Sequence, residues 1–236
     1  VKPFENFTKF KSDDWVILGM RNLINDMINS SMKNVESFAG VSAFYEQKAK
    51  NPNYIIKGMF QHRAEYLRVF IFLYNGKTGQ LLKQFYFSTF FPNDAEFFYK
   101  IADTIKGIAE VIGTKVSESG LNGISKATDV PLAYASYTKG MNAISTYKLE
   151  NIPAALDYFN ESKKLDSKSP WGYLGTMNTY AFAALKSKLT NKAFGSYLEA
   201  LQGELNRFRA LTYDFPINTW SARKYKKEGW KSRFLT

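Results

Sequence analysis

The sequence predicts an α/β amino-terminal domain, a mixed sheet with flanking helices, followed by an all-α carboxy-terminal domain of helical hairpins. Three observations carry that expectation. Three apolar segments of strand length follow one another between residues 54 and 88, helical periodicity flanks them on both sides, and from Pro131 onward the pattern is wholly helical and repeats itself. The chain has 236 residues, 45% hydrophobic and 17% aromatic, which is enough to bury two small cores.

Val1 to Phe4 reads as the end of a strand, after which Ser12 offers an N-cap for a helix over Asp13 to Met32. Val16, Met20, Leu23 and Met27 recur at helical spacing, Ile17, Ile24 and Ile28 widen the stripe, and Asp13 and Asp14 suit the positive helix start. A short segment at Val35 to Phe38 and a helix over Ala43 to Ala49 follow before Asn51-Pro52-Asn53 interrupts. Tyr54 to Gln61, Glu65 to Tyr74 and Gln80 to Ser88 read as three antiparallel strands, joined by a tight turn at His62 to Ala64 and a loop at Asn75 to Gly79. The middle strand places Leu67, Val69, Ile71 and Leu73 on one face and Tyr66, Phe70, Phe72 and Tyr74 on the other, so both faces call for cover.

Pro92 closes the sheet, and Asn93 with Glu96 makes a capping box for a helix that runs to Ile112 and stops at Gly113. Its buried stripe is Phe97, Ile101, Ile105, Ile108 and Ile112. The polar, Gly- and Ser-containing stretch 114–130 reads as a linker. Beyond it, Ala155, Phe159 and Ser162 recur as Ala193, Tyr197 and Ala200, on the second helices (Pro153 to Leu165, Asn191 to Arg209) of two hairpins whose first helices are Leu132 to Tyr147 and Trp171 to Leu185. Small residues let paired helices approach, and the aromatic fills the space between hairpins.

Pro3-Phe4-Glu5-Asn6-Phe7, Leu18-Gly19, Tyr54-Ile55-Ile56-Lys57-Gly58, and Arg68-Val69 leading to Thr78-Gly79-Gln80-Leu81 together resemble the TolB amino-terminal domain, related in fold to CsgG-type envelope proteins, over residues 1–113. Tyr134 and Tyr137 ahead of Gly140, then Ala154-Ala155-Leu156-Asp157-Tyr158-Phe159 and Leu165-Asp166, resemble degenerate tetratricopeptide (TPR) repeats over 131–212, with Ser167 where the consensus has Pro. Residues 213–236 form a basic, aromatic tail, and Tyr213 to Trp220 would cover an open end of the hairpins.

Formal charge is +11. Residues 1–130 carry 16 basic and 13 acidic groups, residues 131–236 carry 16 and 8. In the last 16 residues Arg223, Lys224, Lys226, Lys227, Lys231 and Arg233 face only Glu228, an anionic-surface binding segment suited to acidic protein, envelope polymer or lipid; nucleic acid is the less favoured partner. There is no cysteine, hence no disulfide or thiolate site, and the single histidine, His62, falls in the predicted turn without a second imidazole, so it reads as structural. Neither a Gly-x-Ser-x-Gly elbow nor a phosphate loop occurs. Asp13, Asp14, Asp94 and Glu96 are explained as first-turn helix charges. The expectation is therefore no catalytic residue, cofactor or metal.

Two further surfaces are candidates for binding protein. On the sheet these are Tyr66, Phe70, Phe72 and Phe87; on the first helices of the hairpins, where the TPR resemblance implies a groove, they are Tyr134, Tyr137, Asn142, Tyr147, Trp171, Tyr173, Asn178 and Tyr180. The alternative for the hairpin aromatics is packing between helices. The resemblance implies a non-enzymatic, periplasmic or otherwise extracytoplasmic adaptor, with any signal peptide or lipid anchor upstream of Val1. Such a protein binds partners, or itself, in a secretion, cell-wall or flagellar machine. The alternative is a regulatory sensor module whose output domain or membrane segment lies outside the chain.

Overall fold

Strand alternation and turn chemistry build the sheet first. A computed structural model of the protein describes residues 1–8, 10–38, 51–91, 94–145, 148–190 and 194–211. The expected helix at Ala43 to Ala49, the cap at Asn93, the repeat residue Ala193 and the whole tail from Tyr213 lie outside the described residues. The strands are β1 (Glu5–Asn6), β2 (Tyr54–Arg63), β3 (Tyr66–Asn75) and β4 (Leu81–Phe90), in the order β1-β2-β3-β4. β1 pairs parallel to β2, and β2 antiparallel to β3. This mixed sheet with helices is the α/β arrangement expected for the amino-terminal part.

The β2–β3 turn begins two residues later than the sequence suggested and ends one later. Arg63 pairs with Tyr66, leaving Ala64 and Glu65 as the loop, and Ala64 takes φ +53° to reverse the chain. His62 is thus a strand residue, not a turn residue. Its register partner is Leu67. The β3–β4 connection turns on Gly79 at φ +72°, with Gly79 N–H donating to Asn75 O and Asn75 N–H to Gln80 O.

The described residues fall into two compact units, the first from residues 1–89 and 96–126 and the second from residues 90–95 and 127–211. In the first, β2 and β3 turn Ile56, Phe60, Leu67, Val69, Ile71 and Leu73 into the core. Helices α1 (Trp15–Ser31) and α2 (Phe97–Ile112) supply Met20, Leu23, Ile24 and Met27, and Phe97, Ile101, Ile105 and Ile108, all buried. α1 starts at Trp15, after a 3-10 turn at Lys11–Asp13, rather than at Asp13. α2 ends where expected, on Gly113 at φ +69°, whose N–H returns to Ala109 O and Glu110 O.

The stretch 114–130 is not simply a linker. It contains α3 (Glu118–Ser125), N-capped by Ser117 and packed on α1 and α2. The glycine that suggested a loop is there for proximity, since a Cβ on Gly120 would lie 2.2 Å from Ser30 O. Ser117 N–H donates to Ser31 O at 2.7 Å, and Leu121 and Ile124 are buried.

The second unit holds α4 (Pro131–Ile144), α5 (Ile152–Leu165), α6 (Pro170–Thr190) and α7 (Phe194–Leu211). Each helix packs on its sequence neighbour, and α4 also reaches α6. Phe159, on α5, is fully buried among three glycines. A Cβ at Gly140 would come within 2.5 Å of its ring and one at Gly175 within 2.2 Å, while one at Gly172 would lie 2.9 Å from its carbonyl oxygen. Ser162 Oγ donates to Ala133 O at 2.8 Å, fixing α5 against α4. Asp166 organises the entry to α6: its carboxylate accepts from Thr128 Oγ1 at 2.6 Å and from the N–H groups of Lys168 and Ser169. The matching set on α7 is not buried in the same way; Tyr197 and Ala200 keep partial exposure.

Thr138 is buried on α4 and its hydroxyl finds no hydrogen-bond partner among the described residues. Thr138→Val keeps the shape and removes an unsatisfied polar group. It is expected to raise stability by about 1 kcal/mol, read as a higher urea midpoint at unchanged slope.

Candidate functional site

Which side chains face outward from the sheet follows from the β2–β3 register. Opposite residues share a face, so Ile55 lies beside Tyr74, Lys57 beside Phe72, Met59 beside Phe70, Gln61 beside Arg68 and Arg63 beside Tyr66. The rings of Phe70 and Tyr86 are 5.0 Å apart, which extends the same face onto β4. The opposite face of β4 meets α2, because a Cβ on Gly107 would lie 2.6 Å from the Phe85 ring. Alternation then places Phe87 with Phe85, against the helices. Phe87 is thus removed from the candidate surface, and its neighbour Tyr86 takes its place. Both faces of β4 are aromatic, so the sequence held no signal to choose between them.

Tyr66 and Tyr86 are 51% and 54% exposed, while Phe70, Phe72 and Tyr74 are half-buried. Lys57 Nζ stands 5.2 Å from the centre of the Tyr74 ring. Lys57, Arg63 and Arg68 give the face three cations, and Glu5, opposite Met59 on β1, is its one carboxylate among the described strand residues. Aromatic rings interleaved with guanidinium and ammonium groups give this face both apolar stacking area and positive charge.

The hairpin candidates divide. Tyr134 and Trp171 are 1% and 3% exposed. Their ring centres are 5.3 Å apart, and Tyr137 stands 5.2 Å from Trp171 and 6.0 Å from Phe159. Tyr134 and Trp171 are thus spent in packing between helices, while Tyr137, beside both, keeps partial exposure. Tyr173 stacks under Lys163 Nζ at 5.3 Å and donates to Ser167 O. Tyr180 has its hydroxyl pushed to higher pKa, first by burial and then by the Glu204 carboxylate. Glu204, buried on α7, binds Lys163 of α5 at 3.4 Å and Arg207 on its own helix. Asn142 is exposed and Asn178 partly so, which leaves these amides as the groove candidates open to a ligand. Tyr147 and the six cations of the tail lie outside the described residues.

His62 is more than a bystander. Its Nδ1 meets Asp13 Oδ2 at 2.7 Å, and Phe10 stands edge-on to the imidazole at 5.8 Å. Asp13 is accordingly buried against β2 rather than serving the α1 start, and Asp14 takes a bond from Asn6 Nδ2 at 2.9 Å. The pair ties the turn before α1 to the sheet, a role that sequence spacing of 49 residues could not disclose.

On α1, Arg21 is buried and directs Nε and Nη2 to Asn22 Oδ1, both at 3.2 Å; burial lowers its pKa. One turn further on, burial pushes the Asp26 carboxyl up to about 7, against the opposing effect of a hydrogen bond from Asn25.

Among the described residues there is no group of three or more His, Cys, Asp or Glu able to hold a metal, and no helix long and apolar enough to cross a membrane. No family model matches the chain, and no curated protein matches it significantly.

Proposed function

We propose that the chain is a non-enzymatic adaptor that binds protein partners through the aromatic, cation-bearing outer face of its sheet. In this reading TPR-like hairpins act as its second, rigid half. The observation that carries the reading is the exposure of Tyr66 and Tyr86 at the edges of a half-buried Phe70, Phe72 and Tyr74 cluster. The TPR-like character of the hairpins is supported by sequential packing of four helices and by Phe159 seated against Gly140 and Gly175. A place in an extracytoplasmic envelope machine rests on the resemblance of residues 1–113 to the TolB amino-terminal domain.

The test is affinity capture from intact envelope fractions, comparing the wild-type chain with Phe72→Ser/Tyr86→Ser. The double variant is expected to retain its fold by circular dichroism and to recover about tenfold less partner, since central aromatics dominate such contacts. Equal recovery by both chains contradicts the sheet face as the contact. No protein recovered at all, together with purely cytosolic fractionation, contradicts the adaptor reading itself.

A further inference from the structure

The outer face of the sheet carries positive charge that its own neighbours do not balance. Gln61 lies beside Arg68 and Arg63 beside Tyr66, so Arg63 and Arg68 are diagonal neighbours on one face. Residues so placed stand roughly 7 to 8 Å apart, and like charges there repel. Both side chains are exposed, and neither forms an ion pair among the described residues. Lys57, also exposed, has the Tyr74 ring as its neighbour and no carboxylate. Glu5, opposite Met59, and Glu65, in the β2–β3 turn, are exposed and pair with none of the three cations. The residues outside the described ones hold more Lys and Arg than Asp and Glu, so their composition offers no surplus of negative charge. Diagonal like charges cost the sheet stability, and an anionic ligand would relieve that cost.

The rings decide which anion fits. Phe70 and Tyr86 lie 5.0 Å apart with 41° between their planes, Phe72 and Tyr74 6.5 Å apart with 37°, and Lys57 Nζ stands 5.2 Å from the centre of Tyr74. These rings lean on one another, an arrangement of mutually covered faces rather than separate platforms for stacked bases. Between Arg68 and Lys57 lie Met59 and Phe70, with Tyr86 beside Phe70, an apolar strip suited to aliphatic or aromatic side chains. Guanidinium groups take carboxylates two-pronged. Lys57 and Gln61, the partner of Arg68, are four positions apart on one strand, roughly 13 Å. An extended segment with carboxylates at its first and fifth positions and an apolar side chain at its third has the same spacing on one face.

We propose that the ligand of this face is an acidic segment of a protein partner, its carboxylates held by Arg63 and Arg68 at one end and Lys57 at the other, with an apolar side chain against Met59, Phe70 and Tyr86. This rests on the reading of the face as the adaptor's contact surface, and names the chemistry of what it contacts.

The probe is a fluorescent peptide of pattern Glu-Thr-Trp-Thr-Glu, compared by anisotropy with its counterpart Lys-Thr-Trp-Thr-Lys. The wild-type chain is expected to bind the Glu peptide and not the Lys peptide. Arg63→Glu/Arg68→Glu should weaken the Glu peptide about tenfold and gain affinity for the Lys peptide. Lys139→Glu/Lys164→Glu makes the same change in net charge at exposed positions of the helical unit, and should leave Glu-peptide binding within about twofold. Circular dichroism checks that each variant remains folded. No binding of the Glu peptide by the wild-type chain overturns the proposal, and so does equal weakening by both charge variants. Tighter binding of oligothymidine or of phosphatidylglycerol vesicles, lost in Arg63→Glu/Arg68→Glu, also overturns it. Envelope capture separates this failure from that of the adaptor reading. A partner lost by Phe72→Ser/Tyr86→Ser but kept by Arg63→Glu/Arg68→Glu contradicts only the acidic ligand, whereas a partner kept by both contradicts the face as the contact.

Discussion

Phe159→Ala is expected to destabilise the helical unit by about 3 to 5 kcal/mol, the largest loss of any single truncation considered. The ring is fully buried, and the helices on either side carry glycine at the two positions that face it, Gly140 and Gly175. Gly140 and Gly175 lie on α4 and α6, so removing the ring opens a cavity bounded by backbone, which relaxes poorly. The complementary substitution sharpens the expectation. Gly175→Ala in the wild-type chain drives a methyl to 2.2 Å from the ring and should destabilise. In the Phe159→Ala background the same methyl enters vacated space and gains helix propensity worth about 1 kcal/mol, so the sign should reverse. Urea unfolding of the four chains measures the coupling. Additive effects would show that Phe159 and Gly175 do not share one packing site.

The second large effect is a pH dependence centred on Asp26. Its folded pKa, about 7, stands above the ordinary aspartate value, so the folded state holds this proton more tightly than the unfolded chain. Stability from this group is therefore full below about pH 4 and falls as pH rises towards 7, after which it is level. The shift corresponds to a loss on the order of 2 to 4 kcal/mol across that window. Asp26→Asn keeps the shape and removes the titration. The variant should match the wild type near pH 4 and exceed it by most of that amount at pH 8. A stability gap between the two chains that is constant with pH would contradict the burial of this carboxyl.

Much of the fold is legible because its periodicities are strong. The 2-residue alternation of Leu67, Val69, Ile71 and Leu73 has one physical solution, and the Ile101, Ile105, Ile108 stripe ending on Gly113 has another. The α3 segment was hidden because Gly120 and Gly123 carry the composition of a loop. Gly120 in fact lets α3 approach the carbonyl of Ser30, a requirement visible only in three dimensions. The site is less legible. Tyr86 and Phe87 differ only in which side of the sheet they occupy, and an apolar residue on each side erases the alternation that would separate them. Tyr134, Tyr137 and Trp171 lie on the first helices, as a groove requires, yet they turn towards one another and Phe159. Spacing gives the helix; it does not give the direction of the face. His62 and Asp13 meet across 49 residues, a distance over which local pattern carries no information.

The outer sheet face is the centre of the functional account, and site-specific photo-cross-linking tests it most directly. A benzophenone side chain is placed at Phe72 or Tyr86 on the sheet, or at exposed Tyr158 on α5, and irradiated in intact cells. The expected result is a protein adduct from the sheet positions, heavier than the chain by a mass other than its own, with little from Tyr158. Adducts arising from Tyr158 while both sheet positions remain silent would contradict it.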